Sequence, residues 1–346
     1  MSPAGVIPQR NQRPRTIVDY SYSGINQAMT NYVMQFGRAL QRSLQRLVYA
    51  NPRFGPVYMC KVDLSDSYYR VPLASRGCLE LAVPMPSTRR CPLLAVPSVL
   101  PMGWSESCPY FCMATETIAD ETNKQPCCSF STLPHAQDVL AAAQDQFVVP
   151  TAISSLLPAP LLAQQPIDYT DVYIDDFMLL AQTHRVATTL RRRLFHNIHK
   201  IFRPNTTEES TASPPRREPI SEKKLAEGDC SWDTKATLLG WLVDSADGTL
   251  RLPPHRHERL HALIDSMLPA DAVPIARWHQ LLGELRSMHA AIPGGSGLFS
   301  VLQHALSTAS TSQVALRPAT KICLRHWKLL ASSLADRPTA LSDLVP

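Results

Sequence analysis

The stretch Tyr169-Thr-Asp-Val-Tyr-Ile-Asp-Asp-Phe-Met-Leu-Leu180 decides how the chain is read. Two apolar runs, Tyr169–Ile174 and Phe177–Leu180, flank the pair Asp175–Asp176. A two-residue link between apolar runs marks a β-hairpin, and Asp is a common turn residue. Adjacent carboxylates also repel each other, and they are costly unless a cation sits between them. Taken alone, turn chemistry and cation chemistry explain the pair about equally well.

The next acid upstream tips the balance. Asp63, in Lys61-Val-Asp-Leu-Ser-Asp-Ser-Tyr-Tyr-Arg70, directly follows the apolar run Val57–Val62. Both sets of carboxylates therefore sit at the ends of expected strands, which hold side chains more rigidly than loops do. Mg²⁺ prefers oxygen ligands and keeps several waters, so a few carboxylates plus substrate phosphates suit it. Two such ions, roughly 3.5–4 Å apart, activate an attacking hydroxyl and stabilise the leaving oxygen of an in-line displacement. That is the chemistry of nucleotidyl transfer.

These residues reach a known family. Tyr173-Ile-Asp-Asp resembles the Tyr-x-Asp-Asp box of retroelement reverse transcriptases, of the retrotransposon type. Val62-Asp-Leu-Ser-Asp-Ser-Tyr-Tyr69 resembles their first aspartate motif. Leu100-Pro-Met-Gly-Trp-Ser-Glu-Ser-Cys-Pro-Tyr-Phe111 is similar to the motif that cradles template and incoming nucleotide. Arg15-Thr-Ile-Val-Asp-Tyr20, followed by Asn26, resembles the fingers motif, and Leu238-Leu-Gly-Trp-Leu-Val243 resembles the hairpin that grips the primer. All five stand in family order across about residues 10 to 310.

The resemblance implies an α+β right-hand polymerase fold, with an antiparallel palm sheet backed by helices and a C-terminal helical thumb. Residues 1–56 would be partial fingers. Residues 57–250 would be the palm, with a fingers segment at about 75–110 and an insertion at about 126–166. Residues 251–346 would be the thumb and the start of a connection. Asp63, Asp175 and Asp176 would be catalytic and hold two Mg²⁺ or Mn²⁺ ions, helped by the Leu64 carbonyl. Arg15, Asp66, Tyr68, Met102 and Gly103 would meet the nucleotide, with Arg15 on its triphosphate and Tyr68 as the gate beneath the sugar. Leu239, Gly240 and Trp241 would grip the primer. Lys223 or Lys224 would protonate pyrophosphate, with Lys235 a third candidate. Partners would be an RNA template, a DNA or RNA primer, dNTPs, and further polyprotein domains such as RNase H. Work would be intracellular, cytoplasmic or nuclear.

The sequence also departs from the family. Leu100–Pro109 is one residue longer than usual, Met102 stands where many relatives have Gln or Phe, and Ser21 replaces a commonly basic residue. The chain begins inside the fingers, so the first fingers strands are expected to be absent, and no RNase H, protease or integrase motif is evident. A catalytically inactive remnant that binds nucleic acid is the first rival reading. A zinc peptidase is the second: His257-Glu-Arg-Leu-His261 fits H-E-x-x-H, with Glu258 as base and Glu284 as the available third ligand.

Composition bounds the rest. Net charge is +5, and the basic residues cluster at Arg10–Arg15, Arg191–Arg193, Arg216–Arg217 and Lys223–Lys224. Such clusters suit a polyanion or a solvated basic surface. The nine Cys form no paired C-x-x-C array, so reduced, mostly buried thiols are expected. The most apolar region, Val139–Ala163, is broken by Asp145 and three prolines and does not read as a membrane span. Helix is expected over Ile25–Val48, from Ser65 onward, over Thr183–Phe202 and in three or four segments between 254 and 334. Strands are expected at Leu79–Val83 and Ala236–Leu242, with a polar loop over Asn205–Lys224.

Overall fold

The computed structural model describes residues 2–9, 12–28, 36–88, 91–124, 133–151, 153, 155–206, 208, 211, 217–288, 292, 295–309 and 312–344. The chain divides into two compact units. The first comprises Met1–Arg42, Met59–Phe147 and Asp168–Trp232; the second comprises Ser43–Tyr58, Val148–Ile167 and Asp233–Pro346.

The first unit opens with a hairpin of β1 (Ala4–Gln9) and β2 (Gln12–Val18), in one register from Ala4–Val18 to Ile7–Arg15 and shifted by one residue before the Gln9–Gln12 pair. Only its Thr16–Val18 end is legible in the sequence, because Val6 and Ile7 are exposed and β1 shows no buried alternation. The expected helix over 25–48 is shorter. Single 3-10 turns at Asn26–Ala28 and Phe36–Arg38 precede α1 (Ala39–Val48), and residues 29–35 lie outside the described part. Arg42 of α1 makes a two-pronged ion pair with Asp171, at 2.6 and 2.7 Å.

β3 (Val57–Asp63) is followed by a 3-10 turn, Ser67–Arg70, instead of a helix. Pro72 explains the stop, since it disfavours helical backbone at Val71, which is extended. Next come α2 (Ser75–Glu80), β4 (Val83–Thr88) and β5 (Cys91–Ala95). The strand expected at Leu79–Val83 is corrected here. Leu79 lies on α2 and is 72% exposed, while Leu81 and Val83 turn into a small core with Val18 and Tyr20.

The larger core of this unit involves α3 (Ser107–Lys124), α4 (Asp138–Ala142), β6 (Asp168–Tyr173), β7 (Asp176–Gln182), α5 (His184–Ile201) and α6 (Glu222–Ala226). Its sheet has the order β3-β7-β6, so β7 is central. Phe177 to Ala181 are all fully buried, as an apolar run without alternation demands. α3 packs on β6 and α5, and α5 packs on β7. The expected loop over 205–224 includes Ile220, which is fully buried and bridges antiparallel to Leu64.

The arginine run of α5 is taken up by ion pairs within the unit. Arg191 is buried and bidentate to Asp145 (2.8 and 2.9 Å), and it also donates to the carbonyls of Ala141 and Cys230. Arg192 pairs with Asp138 at 2.6 Å, and buried Arg193 pairs with Asp168. Arg10, Arg216, Cys127 and Cys128 lie outside the described residues.

The second unit holds β8 (Lys235–Leu238), β9 (Trp241–Asp244), β10 (Thr249–Arg251), α7 (Pro254–Met267), β11 (Ala272–Pro274), α8 (Ile275–Met288), α9 (Gly295–Ser307), β12 (Gln313–Ala315), α10 (Pro318–Asp336) and β13 (Thr339–Ala340). Its sheet order is β13-β10-β9-β8. The single strand expected at Ala236–Leu242 is a hairpin, reversed at Leu239–Gly240. Four helices follow, as their periodicity predicts. In α7 the buried residues Leu260, Leu263, Ile264 and Met267 recur at i, i+3, i+4 and i+7. Trp278 and Trp327 are fully buried, and the Trp278 indole donates to the Leu302 carbonyl at 3.1 Å.

The architecture is α+β, with antiparallel pairing in the β1–β2, β4–β5, β6–β7, β8–β9–β10–β13 and β11–β12 sets. Among the described residues, no helix is long and apolar enough to cross a membrane.

Candidate active site

The hairpin between β6 and β7 turns one residue earlier than the sequence suggests. Tyr173 pairs with Asp176, so the two turn residues are Ile174 and Asp175, and Asp176 already belongs to β7. Ile174 has φ of +60°. A β-branched residue in that region is strained by about 1–2 kcal/mol. The turn presents Asp175 at its tip and fixes Asp176 to the rigid central strand.

Because β7 lies beside β3, Asp176 comes to the end of β3 where Asp63 stands. The two carboxyls are within hydrogen-bonding contact. Burial, followed by the hydrogen bond with Asp63 and its charge, pushes the Asp176 carboxyl up to about 8, while Lys61 pulls it down. Asp63 Oδ1 is buried and accepts no hydrogen bond. Asp175 is engaged elsewhere: its Oδ2 accepts from Ser67 Oγ at 2.5 Å. Thus the fold brings Asp63 and Asp176 into contact and turns Asp175 toward Ser67.

Among the described residues, no three acidic, histidine or cysteine side chains close on one point as a ready metal cage. What the chain offers is a two-carboxylate platform with one orphaned buried oxygen. That donor set fits a hard divalent cation, which takes its remaining ligands from water and phosphate. Leu64 is flanked by the bonds Ser65 N to Pro219 O and Ser221 N to Asp63 O. Its own carbonyl therefore takes no part in the bridge to Ile220.

A backbone cradle lies in the same unit. Gly103 has φ of +106°, and a Cβ there would fall 1.8 Å from the Val18 carbonyl oxygen, so only glycine fits. Val18 N donates to the Met102 carbonyl at 3.0 Å. Asn26 clamps the loop from the other side, donating to the Gly103 carbonyl and accepting from Ser105 N. The Arg15-to-Asn26 segment and the Leu100-to-Phe111 segment are thereby one structural piece. Arg15, three residues before Val18 on β2, is exposed, and its charge acts on the exposed Tyr69. Tyr68 is half-buried and meets the Phe111 ring edge-on at 5.2 Å. Burial and a hydrogen bond with Cys108 push its hydroxyl well above the ordinary range. Asp66 makes no helix cap; its carboxylate lies 3.8 Å from Arg217. Trp104 stacks on Tyr110.

Of the lysine candidates, Lys224 is the one tied to the acids. It sits 3.2 Å from Asp229 and 3.5 Å from Glu227, and its charge is also felt by Asp63. Lys223 reaches only Glu227, at 3.8 Å. Lys235 belongs to the second unit, where it pairs with Asp244 at 3.0 Å. Lys61, Ser67 and Asp229 were not legible as site residues. Lys61 had a signal, since two residues before Asp63 on a strand is the same face. Asp229 had none.

In the second unit, Leu239 (φ +47°) and Gly240 (φ +78°) form the two-residue turn closed by the Leu238–Trp241 pair. Positive φ at both centres is the hairpin turn that glycine favours. Arg256 donates to the Gly240 carbonyl at 3.0 Å, and Trp241 is buried. The zinc peptidase reading is overturned by its neighbours. Glu284 accepts from Arg256 at 3.4 Å and from Arg259, and His261 meets Ser332 at 3.3 Å. Glu284 is thereby engaged by two guanidiniums, and among the described residues His257, Glu258 and His261 belong to no group of three side chains that could hold a metal ion.

No family model matches the chain, and no curated protein matches it significantly. Solved structures do. The foamy viral protease-reverse transcriptase dRH in complex with double-stranded DNA aligns at a TM-score of 0.55 and 13% identity, over 97% of this chain and 44% of that one. The foamy viral protease-reverse transcriptase with RNA/DNA hybrid gives 0.55 and 14%, over 98% and 34%. The same protein with double-stranded DNA gives 0.54 and 14%, over 96% and 52%. The chain thus spans between a third and about half of the length of these proteins. The likeness shows the fold, which is that of the polymerase region of a reverse transcriptase.

Proposed function

We propose that this chain is an RNA-directed DNA polymerase of a retrotransposon. The observation that carries the reading is the contact of Asp63 with Asp176 at the paired ends of β3 and β7, with Asp175 at the adjoining turn. In the proposed reaction a primer 3′-oxygen attacks the α-phosphorus of a dNTP. The bond to the bridging oxygen breaks, and pyrophosphate leaves. Asp63 and Asp176, joined by Asp175, would hold two Mg²⁺ or Mn²⁺ ions, which lower the charge cost of attack and departure. Arg15 would clamp the triphosphate with its fork of donors. Tyr68, braced by Phe111, would leave no room for a 2′-hydroxyl. Lys224 would donate a proton to the departing pyrophosphate, and Leu239, Gly240 and Trp241 would hold the primer. Template RNA, a DNA or RNA primer and dNTPs are the partners, inside the cell, with RNase H as a further polyprotein domain.

Primer extension on an RNA template with dNTPs and Mn²⁺ or Mg²⁺ tests this. The native chain should extend the primer, and Asp175→Asn with Asp176→Asn should lower the rate by about three orders of magnitude or more, since residues acting as a unit fail together. A folded native chain that binds primer–template but never extends it would instead support the inactive-remnant reading.

A further inference from the structure

A file of alternating charges leads away from the paired acids. Lys61 Nζ lies 3.7 Å from Asp63 Oδ1 and 3.5 Å from Asp229 Oδ2. Lys224 Nζ lies 3.2 Å from the same Asp229 oxygen and 3.5 Å from Glu227. The backbone fixes the spacing: Lys61 N donates to the Asp229 carbonyl, and Asp229 N donates to the Lys224 carbonyl. Asp63 Oδ1 is buried and accepts no hydrogen bond, while the buried Asp229 Oδ2 is shared between Lys61 and the closer Lys224. The Lys61 ammonium is thus suspended between two carboxylates at nearly equal distance and locked to neither.

We propose that Lys61 is a positioning residue, an internal counter-ion that screens Asp63 until a divalent cation arrives and then leans onto Asp229. The inference rests on the polymerase reading above. Two near-equivalent seats make the exchange cheap, because the charge lost at one is recovered at the other. Asp229 can accept Lys61 fully because Lys224 has Glu227 as a second partner.

The two ends of this arrangement act in opposite directions. Without the Lys61 charge the acids present a more negative site, so Mn²⁺ binds more tightly. Without the Asp229 charge, Lys61 keeps Asp63 as its carboxylate and competes with the ion, so Mn²⁺ binds more weakly. With unit charges a few ångströms apart near a protein surface, each change is roughly threefold to tenfold.

The test is Mn²⁺ binding to the full chain without nucleic acid, read from the electron paramagnetic resonance signal of free Mn²⁺. The variants are Lys61→Met, Lys61→Gln, Lys61→Arg and Asp229→Asn, each checked for folding by circular dichroism. Tighter binding in Lys61→Met or Lys61→Gln, weaker binding in Asp229→Asn and little change in Lys61→Arg support the proposal. A purely structural role for the file weakens binding in both Lys61→Met and Asp229→Asn; that outcome, or no shift in either, overturns the proposal while leaving the polymerase reading intact. A native chain with no Mn²⁺ site sensitive to Asp63→Asn overturns this proposal, and the polymerase reading falls only if primer extension also fails.

Discussion

Asp176 occupies a position where its two protonation states have very different costs. Its carboxyl is raised from 3.8 to about 8, first by burial and then by Asp63. Between those values the folded chain keeps a proton that the unfolded chain has released. Stability from this residue is therefore complete below about pH 4, falls as pH rises toward about 8, and is level above that. Thermal melts in chelator from about pH 4 to about pH 9 should show a decline with pH that is shallower in Asp176→Asn. Equal slopes in the two chains would contradict the assignment. The sequence showed that two acids stood side by side, but it could not show which of them meets Asp63. That depends on the turn falling at Ile174–Asp175, where a β-branched residue accepts positive φ against its preference.

At the scale of elements, α5 shows how composition misleads. Three successive arginines read as a surface for a polyanion or for solvent, yet each finds an aspartate supplied from elsewhere in the first unit. Arg191→Met would strand Asp145 and the carbonyls of Ala141 and Cys230 in the interior, a loss of about 3–5 kcal/mol for a broken buried pair. Urea unfolding should report an unfolding free energy lower by about that amount, and a change within about 0.5 kcal/mol would refute it. The helices of the second unit were legible because their buried residues recur at helical spacing, as in α7. The β1 strand was not, because its apolar residues face solvent. The apolar run Ala236–Leu242 read as one strand, and the hairpin inside it was signalled only by the motif resemblance at Leu238–Val243, which the positive φ of Leu239 and Gly240 bears out.

At the scale of the molecule, the divisions expected at about residues 56 and 250 follow the chain in order, whereas the compact units interleave along it. Residues 43–58 and 148–167 belong to the second unit and are tied to each other by contacts with no periodic signature. Ala163 N donates to the Tyr49 carbonyl, Asn51 to the Ala163 carbonyl and Arg53 to the Gln164 carbonyl. The five ordered motifs were readable because short-range chemistry, glycine at Gly103 and acids at strand ends, fixes each locally. The pairing of distant polar groups leaves no such local trace.

The short strand β13 closes the outer side of β10 through the pairs Thr249–Ala340 and Leu250–Thr339, and Leu341 is fully buried with its N–H on the Gly248 carbonyl. It is therefore a selvage on the sheet. A version trimmed after Asp336 would bare the β10 backbone, an open row of donors and acceptors that invites pairing with another copy. Light scattering should show the trimmed chain self-associating at concentrations where the chain carried through Leu344 remains dispersed.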